Sequence, residues 1–234
     1  MENRMRLKKM LYTVSLASVA TVLGIFEIPM FLPFLKIDLS EVVVLVALIV
    51  IGYKGAFSIV LIRSFFRPII LGNMLLSTYM GELIAIIASL VLISTYILVN
   101  KILKVNTKPL IYEIGIDKPK VTIKEYIATI GAMVLALTLI MATFNFFIGV
   151  PLYGSIFLFE FVGNSQIHFH IFSFVKDPMM LGVVQQIGFN YESLTLSNMV
   201  LFILIGFSPL NISKAITTAL IVLLIKPRLQ YLEL

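Results

Sequence analysis

The residues best suited to chemistry in this sequence are polar or charged side chains that interrupt long apolar runs. Burying such a group in lipid is costly, so each one is a candidate for function. Asn211 and Lys214 are three positions apart and share a helical face, where an amide and a cation can hold one polar ligand. The alternative for Lys214 is an ion pair with Glu82 that links two helices. The full set is Asp38, Glu41, Arg63, Arg67, Glu82, Asn145, Asn211 and Lys214.

Asn145 stands among aromatic residues, in the segment Phe144-Asn-Phe-Phe near the end of an apolar run. An amide between flat rings suits a planar heteroaromatic ligand. The alternative is a hydrogen bond to another helix, which contributes about 1 kcal/mol in membranes and is common. The residues alone leave both roles open.

The segment Asp38-Leu-Ser-Glu41 precedes an apolar run and has the pattern of a helix N-terminus. Asp38 or Ser40 is expected to accept backbone N–H groups, and Glu41 to reach back to the start of the helix. We therefore predict that these residues cap the helix.

Arg63 and Arg67 are one helical turn apart and share a face. A charge inside a membrane run needs a partner, and Glu82, Glu41 or lipid headgroups are the candidates. We predict a structural role for both arginines.

Sequence signatures of several common hydrolytic sites are missing. The chain has no cysteine, and its histidines are His168 and His170. A zinc site needs three or four ligands, so Glu160 or Asp177 would have to complete one, and we expect no metal. The Gly-x-x-x-x-Gly-Lys-Ser/Thr, Gly-x-Ser-x-Gly and His-Glu-x-x-His motifs are absent.

The composition indicates which elements position these groups. Hydrophobic residues make up 60% and charged residues 13% of the 234 residues, and the mean hydropathy is +1.06. Such values predict an all-α integral membrane protein. Crossing a bilayer takes about 20 residues of helix. We predict one membrane domain, residues 1–234, with six transmembrane helices at about 10–28, 40–52, 56–71, 80–99, 125–150 and 198–225.

The second and third of these runs are shorter than a membrane span. They are joined by Gly52-Tyr-Lys-Gly55, which predicts a tight turn between short or partly sheltered helices. Residues 100–124 are polar and are expected to form a cytoplasmic connector. Residues 151–197 are expected to form an external loop, in which 155–161 and 167–172 fit short interfacial strands or helices equally.

The net charge of +6 comes from basic residues at the ends of the apolar runs. With both termini in the cytoplasm, most of the 18 Lys and Arg residues lie on the cytoplasmic side, and only Lys36 and Lys176 lie in external segments. This asymmetry follows the positive-inside rule and supports six spans. It explains the basic charge without a nucleic-acid partner.

Small residues recur along the first run at Ala17, Ala20, Thr21 and Gly24. Rows of small residues let another helix approach closely in a membrane. The pattern predicts a helix contact and does not say whether the other helix belongs to the same chain.

Three segments carry a family resemblance: Phe34-Leu-Lys-Ile-Asp-Leu-Ser40, Phe144-Asn-Phe-Phe-Ile-Gly-Val-Pro-Leu-Tyr153 and Pro209-Leu-Asn-Ile-Ser-Lys214, which leads to Ile225-Lys-Pro227. They resemble elements of the substrate-binding S components of energy-coupling factor (ECF) vitamin transporters, most closely the riboflavin-specific branch. The third segment, similar to Pro-Phe-Asn-x-x-Lys, is the most specific. The chain has Arg63-Ser64 where the family usually has Lys-Asn, and Ile86 where it has an asparagine.

The resemblance implies a six-helix bundle with a vitamin pocket near the outer face. It implies that Asn145, Asn211 and Lys214 contact riboflavin, the transported ligand, and no other cofactor is expected. We expect Asp38, Glu82 and Tyr153 at the same pocket.

The resemblance also implies partners in a prokaryotic plasma membrane. The small-residue row would contact a transmembrane coupling (T) subunit, and two cytoplasmic ATPase subunits would power uptake, so the chain itself would not be an enzyme. The alternatives are an S component for a different vitamin or small substrate, a membrane-embedded hydrolase that uses Glu82 or the histidines with a metal, and a non-transporting scaffold.

Overall fold

The computed structural model describes residues 2–30, 36–105, 108–112, 121–162, 181–182, 185, 192–193 and 195–231. These residues are mainly helical. The helices are α1 (Glu2–Ile25), α2 (Ser40–Ile51), α3 (Tyr53–Ile70), α4 (Leu76–Ile102), α5 (Ile123–Phe144), α6 (Val150–Val162) and α7 (Leu196–Ile225). Shorter elements are the strands β1 (Ile28–Pro29) and β2 (Lys36–Ile37), 3-10 helices at Leu110–Tyr112 and Lys226–Tyr231, and a π-helical turn at Asn145–Gly149.

Helix α2 lies inside the bundle. Its 12 residues are too few to cross a hydrocarbon layer of about 30 Å. Helices α1, α3, α4 and α7 pack against it, and Val44, Leu45 and Ala47 are fully buried. Because protein surrounds this helix, it needs neither the length nor the lipid-facing surface of a membrane span. The arrangement agrees with the expectation of a short, sheltered helix.

A single glycine makes the turn between α2 and α3. Gly52 has a φ of 88°, in the left-handed region that favours glycine, and its N–H donates to the carbonyl groups of Ala47 and Leu48. A Cβ atom at Gly52 would lie 2.8 Å from Cγ of Pro109. Helix α3 begins at Tyr53, so the turn is shorter than the four-residue turn that the sequence suggested.

The connection between α1 and α2 contains a small antiparallel hairpin, in which Ile28 pairs with Ile37 and Pro29 with Lys36. Helix α1 begins at Glu2, well before the apolar run that starts near Met10. It packs against α2 and α3, while α5 packs against α4 and α7. Strand β2 ends at Ile37, three residues before α2 begins, so the hairpin lies next to the start of α2.

The chain remains helical past residue 150, where an external loop was expected. After α5 the π-helical turn leads directly into α6, which ends at Val162. Pro151 is the second residue of α6, directly after the π-helical turn, and the helix continues through it. The sequence fitted strands and helices equally in two segments. Residues 155–161 are helical, whereas 167–172 and both histidines lie outside the described residues.

The bundle has two ends, which we name by their connections. The hairpin end holds β1, β2, the start of α2, the end of α3 and the start of α4. The turn end holds Gly52, Leu110–Tyr112 and the end of α7. Three described helical segments, Leu76–Ile102, Ile123–Tyr153 and Leu196–Leu229, are long and apolar enough to cross a membrane.

Candidate functional site

Glu41 is the centre of a buried polar network at the hairpin end. Its side chain is 1% exposed, and its Oε1 lies 3.2 Å from Nη1 of Arg63 and 3.2 Å from Nζ of Lys214. The hydroxyl of Ser89 donates to the same oxygen at 2.9 Å. Helices α3, α4 and α7 therefore each supply a donor to one carboxylate of α2. The expectation that Glu41 reaches back to cap its own helix is wrong, because these three partners hold it.

Asp38 and Ser40 link the hairpin to this network. Asp38 Oδ1 accepts hydrogen bonds from the backbone N–H of Ser40 at 2.9 Å and from the Ser40 hydroxyl, whose oxygen accepts from Arg63 at 2.6 Å. Asp38 thus accepts one backbone N–H group, but Leu39 is the N-cap of α2 and has no side-chain cap. Burial alone would raise the pKa of Asp38, but the cations Lys214 and Arg63 outweigh burial and lower it.

Arg67 lies within 4.0 Å of three carboxylates at the hairpin end, those of Glu27, Asp38 and Glu82. Its Nη1 lies 3.2 Å from Glu82 Oε1 on α4 and 4.0 Å from Asp38 Oδ2. Its Nη2 pairs with Glu27, which follows α1 and also pairs with Lys36 of β2. The structure thus shows the two arginines of α3 paired with Glu41 and Glu82, as the sequence suggested.

Lys214 does not pair with Glu82, the alternative that the sequence left open. Its ammonium group lies beside Glu41, while Glu82 is held by Arg67. Helix α2 packs against both α4 and α7. This packing brings Glu41 of α2 within reach of Lys214.

The charges of the ion-pair network balance, because its four cations (Lys36, Arg63, Arg67 and Lys214) face four carboxylates (Glu27, Asp38, Glu41 and Glu82). Buried charges are tolerated when they are paired and hydrogen-bonded, and each cation here has a carboxylate within 4.0 Å. Several of the buried polar atoms have no hydrogen-bond partner among the described residues: Glu41 Oε2, Arg63 Nε, Arg67 Nε and Glu82 Oε2. The unused capacity includes both donors and acceptors, and of these side chains Arg67 and Glu82 are the more exposed, at 11% and 8%.

Asn145 and Asn211 are both buried, at 3% and 6% exposure. Asn145 begins the π-helical turn, which packs against α7, the helix that carries Asn211 and Lys214. A Cβ atom at Gly149 would clash with Asn145 Oδ1, so the glycine leaves room for this amide. The two asparagines therefore lie on packed elements, and their convergence with Lys214 on one ligand stays a prediction.

Helix α6 carries Tyr153 and Glu160 and packs against α4. Glu160, two turns further along α6, accepts a hydrogen bond from the backbone N–H of Ser77 at 3.1 Å. A carboxylate at a helix N-terminus satisfies a free N–H group and interacts well with the helix dipole. This contact fixes α6 against α4, with Tyr153 partly buried on α6.

The small-residue row of α1 is covered by the same chain. Ala17, Ala20 and Thr21 are 2%, 0% and 6% exposed, and a Cβ atom at Gly24 would lie 3.4 Å from Cδ of Arg67. Helices α2 and α3 pack against α1. The contact that the row predicted is therefore intramolecular, which corrects the expectation that these four residues face a coupling subunit.

The network includes two residues that the sequence did not single out. Ser89 lies in α4 and is fully buried, and it contacts both Arg63 and Glu41. Ser40 was considered only as a cap. The two arginines could have indicated these serines. A buried guanidinium needs several hydrogen-bond acceptors, and a serine hydroxyl supplies one without placing a further charge in the membrane.

Comparisons with known proteins agree with this architecture. The sequence model of the family described as "ECF transporter, substrate-specific component" matches residues 8–226. The fold is similar to a solved structure of the S component of a bacterial ECF transporter, with a TM-score of 0.60, 19% sequence identity and coverage of 96% of each chain. A comparison with curated proteins gives no significant match.

The family match covers nearly the whole chain, and the family's members are integral membrane proteins that bind substrates for transport. They act with T and ATPase subunits on a vitamin or another small substrate. This sets the hydrolase alternative aside. The chain therefore belongs to the family of substrate-specific (S) components of ECF transporters and is not an enzyme.

Proposed function

We propose that this S component captures riboflavin or a closely related flavin at the hairpin end and passes it inward with its partner subunits. One observation carries the proposal: Lys214 and Asp38 meet around Glu41 and Arg63. Lys214 and Asp38 come from two of the three segments that resemble the riboflavin-specific branch. Segments far apart in the sequence thus supply one polar cluster.

The chemistry of the cluster supports a flavin. Riboflavin is uncharged, and its ring edge and ribityl chain offer both hydrogen-bond donors and acceptors. The ion pairs of the cluster balance in charge. Arg67 Nε, a donor, and Glu82 Oε2, an acceptor, lie on its more exposed side chains and have no hydrogen-bond partner among the described residues. Ligand sites combine an apolar wall with a few polar groups that fix orientation. We assign Asn145, Asn211 and Lys214 to the polar edges of the flavin, with Asp38, Glu82 and Tyr153 completing the site.

The proposed orientation places the hairpin end outside the cell and both termini in the cytoplasm. The six membrane helices would be α1 to α5 and α7, of which α2 is too short to cross the bilayer alone and lies sheltered among the others. Residues 100–124 would be the cytoplasmic connector, and 151–197, including most of α6, would lie on the external side. Lys54, Lys101 and Lys104 lie at or near the turn end, where the positive-inside rule places the cytoplasm. Residues 1–234 would form one domain in a prokaryotic plasma membrane, with a T subunit and two ATPases driving uptake.

A second candidate is an S component for a different vitamin or small substrate. Arg63-Ser64 replaces the usual Lys-Asn of the family, and Arg63 is part of the polar cluster. A change in a buried polar group alters which ligands can be fully hydrogen-bonded. This observation favours testing several vitamins beside riboflavin.

The direct test is to purify the chain in detergent and titrate it with riboflavin. We expect the protein to carry flavin absorbance and to quench riboflavin fluorescence at a one-to-one ratio. The control is the Lys214→Ala variant, which should quench at higher concentrations only. A colourless protein that leaves the fluorescence unchanged would reject the flavin, and native mass spectrometry of co-purified small molecules would then identify the second candidate's substrate.

A further inference from the structure

A continuous chain of hydrogen bonds and ion pairs connects Asp38 with Lys214. Asp38 accepts from Ser40, and the Ser40 hydroxyl accepts from Arg63 at 2.6 Å. Arg63 lies 3.2 Å from Glu41, and the same Glu41 oxygen lies 3.2 Å from Lys214. These contacts thereby join the hairpin, α2, α3 and α7.

The side chains at the two ends of this series of contacts, Asp38 and Lys214, are more exposed than those between them. The side chains of Asp38 and Lys214 are 9% and 11% exposed, whereas those of Glu41 and Arg63 are each 1% exposed. Ser40 is fully buried. A substrate at the hairpin end can contact Asp38 and Lys214. It has no access to Glu41 and Arg63, which lie between them.

We propose that Glu41 and Arg63 are positioning residues, which hold Asp38 and Lys214 in a fixed relation before the substrate binds. The substrate-binding part of this inference rests on the proposed function at the hairpin end. A lysine side chain has many rotamers, and fixing it on binding would lower affinity. Here the fold has already fixed it, because Glu41 is itself held from two other helices by Arg63 and Ser89.

The geometry also gives position 63 a reason to be arginine. Nη1 of Arg63 contacts both Ser40 and Glu41, and Nη2 donates to Ser89 at 3.1 Å. A guanidinium offers separate nitrogens in a rigid plane, whereas lysine offers a single nitrogen. Arginine can therefore join the start of α2 to α4 and still hold Glu41 for Lys214.

The test uses Glu41→Gln, which keeps the side-chain shape and removes the charge, and the double variant Glu41→Gln/Arg63→Gln, which leaves no buried charge unpaired at these two positions. The matched control is Glu125→Gln, because Glu125 forms a buried pair with Lys226 at the turn end. Each purified protein is treated with ¹³C-formaldehyde and a mild reductant, so that the methylated lysines give NMR signals. The Lys214→Arg variant identifies the Lys214 signal.

We expect the Lys214 signal to stand apart in the unchanged protein and to move towards the signals of exposed lysines in both Glu41 variants. The Glu125→Gln control should move the Lys226 signal and leave Lys214 in place. Riboflavin titration should show at least about a tenfold loss of affinity in the Glu41 variants and no loss in the control.

The two readouts separate the two proposals. A Lys214 signal that stays in place in both Glu41 variants would overturn the positioning role, whatever the ligand. If the Lys214 signal moves but the unchanged protein does not bind riboflavin, the flavin is wrong and the positioning role holds. If riboflavin binds equally to all variants, the flavin proposal stands and positioning by Glu41 and Arg63 is rejected.

Discussion

Lys214 of α7 and Glu41 of α2 form an ion pair, with 3.2 Å between Nζ and Oε1. The pair joins the last long helix to the start of a helix near the middle of the bundle. Glu41 is almost inaccessible, while Lys214 keeps a small exposed surface. The carboxylate therefore fixes the position of the ammonium group, while part of the lysine side chain remains accessible.

Replacing Lys214 by alanine should weaken riboflavin binding by about 1.5–3 kcal/mol, roughly 10- to 100-fold, because a hydrogen bond to a charged group is lost. Arg63 and Ser89 still hold Glu41 in this variant, so the fold should survive. Fluorescence quenching in detergent measures the affinity. Lys54→Ala, at an exposed position near the turn end, is the control. An affinity within twofold of the unchanged protein would remove Lys214 from the site.

Replacing Arg63 by methionine should destabilise the protein by about 3 kcal/mol. Removal of one partner of a buried ion pair leaves the other charge poorly compensated, although Lys214 still faces Glu41. Thermal unfolding in detergent should show a clear fall in Tm. Lys101→Met removes an exposed charge at the turn end and should leave Tm unchanged. Equal Tm values for both variants would show that the Arg63 pair contributes little.

Replacing Gly52 by alanine should cost about 1–3 kcal/mol of stability. The residue has a φ of 88°, and a Cβ atom would lie 2.8 Å from Cγ of Pro109. Gly131 in α5 is the matched control, because a Cβ atom there meets nothing within 4 Å and alanine favours helix. We expect a lower Tm for Gly52→Ala and an equal or higher Tm for Gly131→Ala. The reverse order would contradict the tight turn.

The sequence predicted the helical runs well, because lipid-facing helices must be long and apolar. The charged residues that interrupt the apolar runs also indicated a polar cluster, to which Arg63, Arg67 and Lys214 all belong. The partner of each charge could not be predicted in the same way. Lys214 pairs with Glu41 and not with Glu82, because α2 packs against α7 as well as α4. No local sequence pattern predicts which helices pack together.

Local patterns gave a wrong prediction where one residue type suits two roles, as a carboxylate suits both a helix cap and an ion pair. The segment Asp38-Leu-Ser-Glu41 fits a helix cap, yet Glu41 serves three other helices. The run that was expected to end at residue 150 continues as helix through a π-helical turn and Pro151 to Val162. The partners of Glu41 come from other helices, so they depend on how the helices pack.

The covered small-residue row of α1 gives the last prediction. Ala20 is fully buried against the chain's own helices, so Ala20→Leu should overpack this contact and cost about 1–3 kcal/mol. Ser18→Leu places the same side chain on an exposed part of α1, where its neighbours are lipid or detergent, and should leave stability unchanged. Thermal unfolding of the isolated chain distinguishes the two. If Ala20→Leu unfolds like the unchanged protein, the row is free in the isolated chain and available to another subunit, because an intramolecular contact would have resisted the larger side chain.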